Sequence, residues 1–179
     1  MNAETREQAY WLDTSDPPGL LGAMARALVG TAHIAIEGSG VKDLKLEEIP
    51  GAVKSETPVL RRQTLWSIPK EDFVVLPLEL ETVDIILARV PADCWDDLKI
   101  NHVQIEKEGK LQFSGCDYFD ANATWVGDAV PEALLRGLVS QGILKQYQEP
   151  YFADDRPFSL PGLRRLNRIW KRIRRKNTE

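Results

Sequence analysis

The stretch that decides the fold is YWLDTSDPPGLLGAMARALVGTAHIAIE, residues 10–37. It predicts a strand, a helix and a second strand in succession. Asp16 is a typical helix N-cap, Pro17 suits the first helical position because it has no amide hydrogen to satisfy, and Gly30 follows the last turn. Apolar and small side chains cover much of the helix, as expected for a helix that packs on a sheet: Leu20, Leu21, Ala23, Met24, Ala25, Ala27 and Leu28.

The second strand of this unit alternates between two faces. Ala32, Ile34 and Ile36 share one face, while His33, Ala35 and Glu37 share the other. His33 is therefore expected on the surface or on the second face of a sheet, and not as a ligand.

This unit also resembles the beginning of a known family. DPPGLLGAMARALVGTAHI is similar to the first strand, helix and strand of ACT domains, which are small ferredoxin-like modules that bind amino acids or related metabolites and pair through their sheets. The resemblance covers less than a fifth of the chain. In that family the D-x-P-G-L-L turn lies beside the ligand, so the resemblance implies a ligand-binding role for Asp16, Pro18, Gly19 and Leu20.

The next part of the chain predicts a long loop followed by strands. Residues 38–58, GSGVKDLKLEEIPGAVKSETP, are rich in glycine, proline and charge and predict a surface loop with at most one short helix. VLRRQTLWSI (59–68) and DFVVLPLELE (72–81) are predicted strands. In the second, one face carries Val74, Leu76, Leu78 and Leu80.

TVDIILARV, residues 82–90, is ambiguous. Val83, Ile86, Leu87 and Val90 fit one face of a helix, but the short length and the β-branched content favour a buried strand, which is our prediction. PADCWDDL, residues 91–98, has the pattern of a single helical turn.

A hairpin is predicted in INHVQIEKEGKLQFSGCDYF, residues 100–119. Strands 100–106 and 110–116 would flank a three-residue loop, 107–109, in which Gly109 supplies the positive φ. This register pairs Glu106 with Lys110, Gln104 with Gln112, and His102 with Ser114 in a solvated polar row, and it points Val103, Ile105, Leu111 and Phe113 into the core.

The last predicted elements of the domain lie in residues 120–147. After a loop, a second capped helix is expected to begin near Pro131, following Asp128, and to end at Gly142. A final strand is expected from Ile143.

The polar row contains the residue types of a nucleophilic catalytic site. Ser114 would need His102 as a base and Asp117 as an orienting carboxylate. Neighbours on an open sheet face lack the sharp turn and the oxyanion donors of such sites, and no G-x-S-x-G motif is present. A hydrolase that depends on the carboxylates of Asp117 and Asp120 is an alternative, but we predict no catalytic residue.

Metal and cofactor sites have little support in the sequence. Asp117, Asp120 and Asn122 offer oxygen ligands for a hard cation, but the D-x-D-x-D-G spacing is absent and these residues are ordinary turn formers. The chain has only two histidines and no glycine-rich phosphate loop. We therefore predict neither a metal nor a cofactor.

Length and composition predict one ordinary domain, since the chain has 179 residues, of which 43% are hydrophobic and 28% charged. No apolar run approaches the ~18 residues of a membrane span, and the first residues do not resemble a signal peptide, so a cytoplasmic location is expected. Cys94 and Cys116 form no CxxC pair and are expected to be free thiols.

Charge divides the chain into an acidic body and a basic end. Residues 164–179 carry eight Lys or Arg and one Glu, a net charge of +7, so the rest of the chain carries −11. Pro150, Pro157 and Pro161 make residues 149–162 an extended arm. Beyond it, Leu163, Leu166, Trp170 and Ile173 predict a narrow apolar stripe on a basic helix, with Ile169 alongside. The side chains predicted to bind a partner or phosphate are Arg164, Arg165, Arg168, Trp170, Lys171, Arg172, Arg174 and Arg175.

The sequence thus predicts an α+β domain over residues 1–148, with an antiparallel or mixed sheet and two main helices, then a proline-rich arm over 149–162 and a basic amphipathic helix over 163–179. The favoured function is non-catalytic binding, in which the acidic body serves as an adaptor or as a neutraliser of a basic toxin or nuclease. Alternatives are an ACT-like sensor of small molecules, a nonspecific nucleic-acid binder acting through the basic helix, and the hydrolase. The basic helix could dock on the acidic body or a second subunit, or bind nucleic acid or an anionic membrane surface.

Overall fold

The structure, a computed structural model, describes residues 10–63, 71–91 and 99–148. Within these ranges seven strands form one antiparallel sheet in the order β3-β2-β4-β5-β6-β1-β7, and three α-helices pack on one face of it. The predicted mixture of helices and strands is confirmed, with one helix more than expected. The elements are β1 (Tyr10–Thr14), α1 (Pro17–Leu28), β2 (Ala32–Gly38), β3 (Asp72–Pro77), α2 (Val83–Arg89), β4 (His102–Lys107), β5 (Lys110–Gly115), β6 (Thr124–Val126), α3 (Glu132–Ser140) and β7 (Leu144–Gln148).

The first strand, helix and strand form as predicted. Oδ1 of Asp16 accepts a hydrogen bond from the backbone N of Gly19 at 3.0 Å and so caps α1. A Cβ atom at Gly19 would collide with the Asp16 carboxylate, so a side chain at this position would displace the cap. The apolar side of α1 is fully buried against the sheet and contributes Leu20, Leu21, Met24, Ala25 and Leu28 to the core.

The prediction of a strand over residues 82–90 is wrong, since α2 occupies Val83–Arg89. Val83 and Ile86 are buried, whereas Asp84 and Ile85 are exposed, so only one side of this segment faces the core. A strand buried on both faces could not place Ile85 in water. The helical periodicity therefore outweighs the β-branched composition.

The hairpin of β4 and β5 forms in a different register from the predicted one. Its turn has two residues, Glu108 and Gly109, with φ of 54° and 79°, which is the conformation that joins antiparallel strands tightly. A bulge follows between Ile105 and Glu106. As a result Gln104 lies opposite Ser114, and Glu106 lies opposite Leu111, which packs on the second face of the sheet and not in the main core.

The other predictions for the domain have mixed outcomes. The last helix and strand form as expected, with Gly142 at φ 76° after α3. β3 ends at Pro77, and Leu80 is exposed. The loop over 38–58 contains a short 3₁₀ helix, Leu46–Glu48, but it also sends side chains into the core, so it is more than a surface loop: Val41, Leu46 and Ile49.

The second face of the sheet is partly covered by the chain before β3. Residues 59–63 form no strand, which corrects the prediction for their part of 59–68. Leu60 packs on Ala35, Phe73 and Val75, and the guanidinium of Arg62 lies 4.8 Å from the ring centroid of Phe73. Residues 64–68, the segment 92–98 and the arm and basic helix from 149 onward lie outside the described residues. In the described part of the chain, no helix has the length and apolar character needed to cross a membrane.

Candidate functional site

The polar row on β2, β4 and β5 is buried, which corrects the prediction that solvent covers it. His102, Gln104, Gln112 and Ser114 are each at most 5% exposed, and Glu37 joins them at 2%. Buried polar groups are costly unless they are hydrogen-bonded, so their partners decide what this row can do.

Two members of the row hold the covering chain on the sheet. The backbone N of Gln63 donates to Oε2 of Glu37 at 2.8 Å, and the backbone N of Arg61 donates to Oε1 of Gln104 at 3.1 Å. Both acceptors thus satisfy amides of a segment that belongs to no strand. This end of the row has a structural function.

Gln112 makes a similar attachment at the other end of the row. Its Nε2 donates to Oδ1 of Asp128 at 3.0 Å, and its Oε1 accepts from the backbone N of Ala129 at 3.1 Å. Gly127 passes so close that a Cβ atom there would collide with the Gln112 side chain. Gln112 therefore fixes the loop between β6 and α3.

His102 lies opposite Glu37 in the pairing of β2 and β4. Its Nδ1 accepts a hydrogen bond from the backbone N of Asp117 at 3.1 Å. Burial lowers the pKa of His102, although the carboxylates of Glu37, Asp117 and Glu71 oppose that shift. The imidazole is consequently neutral near pH 7, with its proton on Nε2, and its Nδ1 lone pair is already engaged.

Ser114 contacts a thiol and is paired in register with Gln104. Its Oγ lies 3.3 Å from Sγ of Cys116, a free cysteine as predicted. Burial raises the pKa of Cys116 to about 11, and the hydrogen bond with Ser114 only partly offsets this. Cys116 is therefore a protonated thiol at neutral pH, which is a poor nucleophile. Neither side chain has the surroundings of an activated nucleophile.

The loop after β5 places the predicted acidic residues. Asp117, Tyr118 and Phe119 all have positive φ, at 50°, 57° and 61°, and the backbone N of Asp120 closes this left-handed turn by donating to the Cys116 carbonyl at 3.1 Å. The turn directs the Asp117 amide toward His102 and buries Phe119 under Gly115, where a Cβ atom would lie 2.8 Å from the ring.

Asp120 is used within the same loop. Its Oδ1 accepts from the backbone N of Asn122 at 2.8 Å and from Nδ2 of Asn122 at 2.9 Å. This is the turn-forming role of Asp and Asn. Among the residues that the structure describes, no three His, Cys, Asp or Glu side chains are grouped so that they could hold a metal ion.

A groove of about 800 Å³ lies on the other side of the molecule, between the three helices. Pro18 and Gly19, which the ACT resemblance nominates, line it, whereas Asp16 caps α1 and Leu20 is fully buried. The cation in its described lining, Arg26, pairs with Asp84 at 2.9 Å. Most of the lining is apolar or small: Leu21, Gly22, Ala23, Ala27, Leu87, Val90, Leu134, Leu138 and Ile143.

The described lining of the groove is therefore mainly a hydrophobic surface. An amino-acid site would need a charged partner for each end of the ligand. The basic residues predicted to bind a partner or phosphate, from Arg164 to Arg175, lie outside the described chain. Comparisons of the sequence with protein-family models, and of the chain with curated proteins and with solved structures, give no significant match.

Proposed function

We propose that this protein works by binding a second protein that has a basic surface, and that it does so without catalysing a reaction. The contacts of the candidate catalytic residues support a non-catalytic role, because His102 accepts from the Asp117 amide and Ser114 contacts the Cys116 thiol. A neutraliser of a basic toxin or nuclease, or an adaptor, binds its partner through complementary charge and catalyses no reaction.

The charge of the described residues supports a basic partner. They contain eighteen Asp or Glu and twelve Lys or Arg. Several of the cations are already paired on the surface, as in Arg89 with Glu48 and Lys145 with Asp13. The remaining excess of carboxylates attracts positively charged proteins and accelerates their association.

The observation that carries the proposal is a patch at the start of α2, which we call the α2 patch: Glu79, Leu80, Glu81, Asp84 and Ile85. Leu80 is 75% exposed and Ile85 is 45% exposed, and the three carboxylates beside them are exposed too. Asp84 pairs with Arg26, and Glu79 and Glu81 leave the patch acidic. Large apolar side chains beside such charges are typical of a contact surface with an apolar centre and a charged rim. A partner with an apolar contact surrounded by Lys or Arg fits it.

The test begins with capture of proteins from an extract of the source cells, after which a retained basic protein is purified and titrated calorimetrically at low and high salt. We expect binding that weakens with salt. We also expect the variant Glu79→Gln/Leu80→Ser/Glu81→Gln to bind about tenfold more weakly, because a few exposed charge contacts and one apolar contact together contribute about 1.4 kcal/mol.

The matched control is Asp43→Asn/Val53→Ser/Glu108→Gln, which removes two exposed carboxylates and one exposed apolar side chain elsewhere on the surface. It should bind as the parent protein does. An affinity that neither salt nor the α2 patch variant changes would contradict the proposed function.

A further inference from the structure

We propose that residues 163–176 dock as an amphipathic helix in the groove between α1, α2 and α3 of the same molecule. Docking of this kind takes place within one chain and requires no partner protein. The groove is open along Gly22, where an added Cβ atom would meet no other atom within 4 Å. Its small side chains let a second helix approach α1 closely, and the half-buried Leu87 and Leu134 provide apolar contacts.

The dimensions of the groove and the segment agree. The groove follows α1 from Pro18 to Ala27, a distance of about 14 Å at the helical rise per residue. The apolar stripe predicted for the basic helix runs from Leu163 to Ile173, about 15 Å by the same rise. One helix of this length places its whole stripe on the groove.

The connecting chain is long enough for the segment to reach the groove in its own molecule. Ile143 lines the groove immediately before β7, whose five residues span about 17 Å. Residues 149–162 provide fourteen further residues, which span up to about 45 Å when extended. That length allows a return to either end of the groove.

Charge complementarity favours this occupant over a neutral one. The apolar stripe is flanked by arginines whose stems can cover apolar surface while their guanidinium groups meet carboxylates. Two exposed carboxylates belong to helices that line the groove: Asp84 on α2, which pairs with Arg26, and Glu132 at the start of α3, which pairs with Arg136. Residues 164–179, which contain the basic part of this segment, have a net charge of +7 and the rest of the chain −11, so the two parts attract each other.

The test is native trypsin digestion of the full chain, with cleavage at the eight Lys and Arg residues of 164–176 followed by intact mass. The variant Gly22→Leu fills the groove from α1, and it should not weaken the fold because leucine is a better helix former than glycine. Trp170→Ser removes the largest apolar side chain of the stripe and leaves the groove unchanged. The control Ala133→Leu adds the same side chain at an exposed position of α3 that does not line the groove.

We expect slow cleavage of the segment in the parent protein and in Ala133→Leu, and cleavage about tenfold faster or more in Gly22→Leu and Trp170→Ser, because trypsin acts on the undocked population. Equal rates in all four proteins would overturn the proposal. Protection that grows with protein concentration would place the segment on a second copy and would also overturn it. So would protection that salt removes and Gly22→Leu does not, since the acidic surface alone would then hold the segment.

Discussion

The backbone amide nitrogen of Gln63 lies 2.8 Å from Oε2 of Glu37, a carboxylate that is 2% exposed in the middle of the sheet. Beside it, Gln104 accepts from the backbone of Arg61. Side-chain oxygens on two neighbouring strands thus accept the backbone hydrogen bonds of residues 61–63, which belong to no strand. The buried polar side chains on this face of the sheet therefore bind residues 61–63. Substitution of these side chains tests that role.

Replacing Gln104 by leucine should destabilise the protein by about 1–2 kcal/mol, because the Arg61 amide keeps its place but loses its acceptor. Hydrogen exchange at the Arg61 and Gln63 amides should accelerate at the same time. Gln146→Leu, the same substitution at an exposed position of β7, is the control and should change the unfolding free energy by less than about 0.5 kcal/mol. Equal urea midpoints for the two variants would mean that the Gln104 contact contributes nothing.

Stability should fall in mild acid because of His102. Its folded pKa lies below the ordinary value of 6.5, so the unfolded chain takes up the proton more readily. The contribution of the neutral imidazole to the free energy of unfolding is fully present above about pH 6.5. It is lost as the pH falls from there through the pKa of His102 in the folded protein. His102→Asn keeps an acceptor near the Asp117 amide but does not titrate.

The measurement is urea unfolding of both proteins at several values between about pH 7.5 and about pH 5. The parent protein should lose more stability than His102→Asn over this interval, while Glu37, Glu71 and Asp117, the carboxylates that face the imidazole, are present in both. Parallel pH profiles would show that His102 has the same proton affinity folded and unfolded.

The parts of the fold that local chemistry determines were predictable. The Asp16 cap, the proline-rich first turn of α1 and the glycine after α3 are signals within a few residues of the ends that they mark. α2 was not predictable in this way, because Val83, Ile86 and Val90 fit a short strand as well as a helix. Exposure of Ile85 and burial of Ile86, which tertiary packing decides, separate the two.

The candidate site was predictable by residue type but not by contact. His102, Gln104, Gln112 and Ser114 were expected on one face, and they are. Gln104 is held by Arg61, about forty positions away, and Gln112 is held by the loop after β6, while the register depends on a two-residue turn and a bulge. The left-handed conformation of three successive residues without glycine, beginning at Asp117, has no local signal. A carboxylate at position 37, directly after Ile36 in an apolar strand, was the one sign of a buried polar network.

Cys116 should react slowly with iodoacetamide in the folded protein. Burial raises its pKa from 9.0 to about 11, so the reactive thiolate is about a hundredfold rarer at pH 8 than in the unfolded chain. Peptide mass spectrometry after short exposures, with and without urea, measures the ratio at this one cysteine. Similar rates in both conditions would contradict a buried, protonated thiol.

Two glycine substitutions should have opposite effects on stability. Gly109 has a φ of 79° in the turn between β4 and β5, a conformation that strains any residue with a side chain. Gly109→Ala should therefore destabilise the protein by about 1–2 kcal/mol.

Gly137 lies within α3, and a Cβ atom there would come no closer than 3.9 Å, to the flexible Gln141 side chain. Gly137→Ala should therefore stabilise the protein by about 0.5–1 kcal/mol through helix propensity. Thermal and urea unfolding of Gly109→Ala, Gly137→Ala and the parent protein measure the sign of each change in the free energy of unfolding. Destabilisation by both would indicate that α3 packs more tightly at Gly137 than its surroundings imply, and a neutral Gly109→Ala would exclude the two-residue turn.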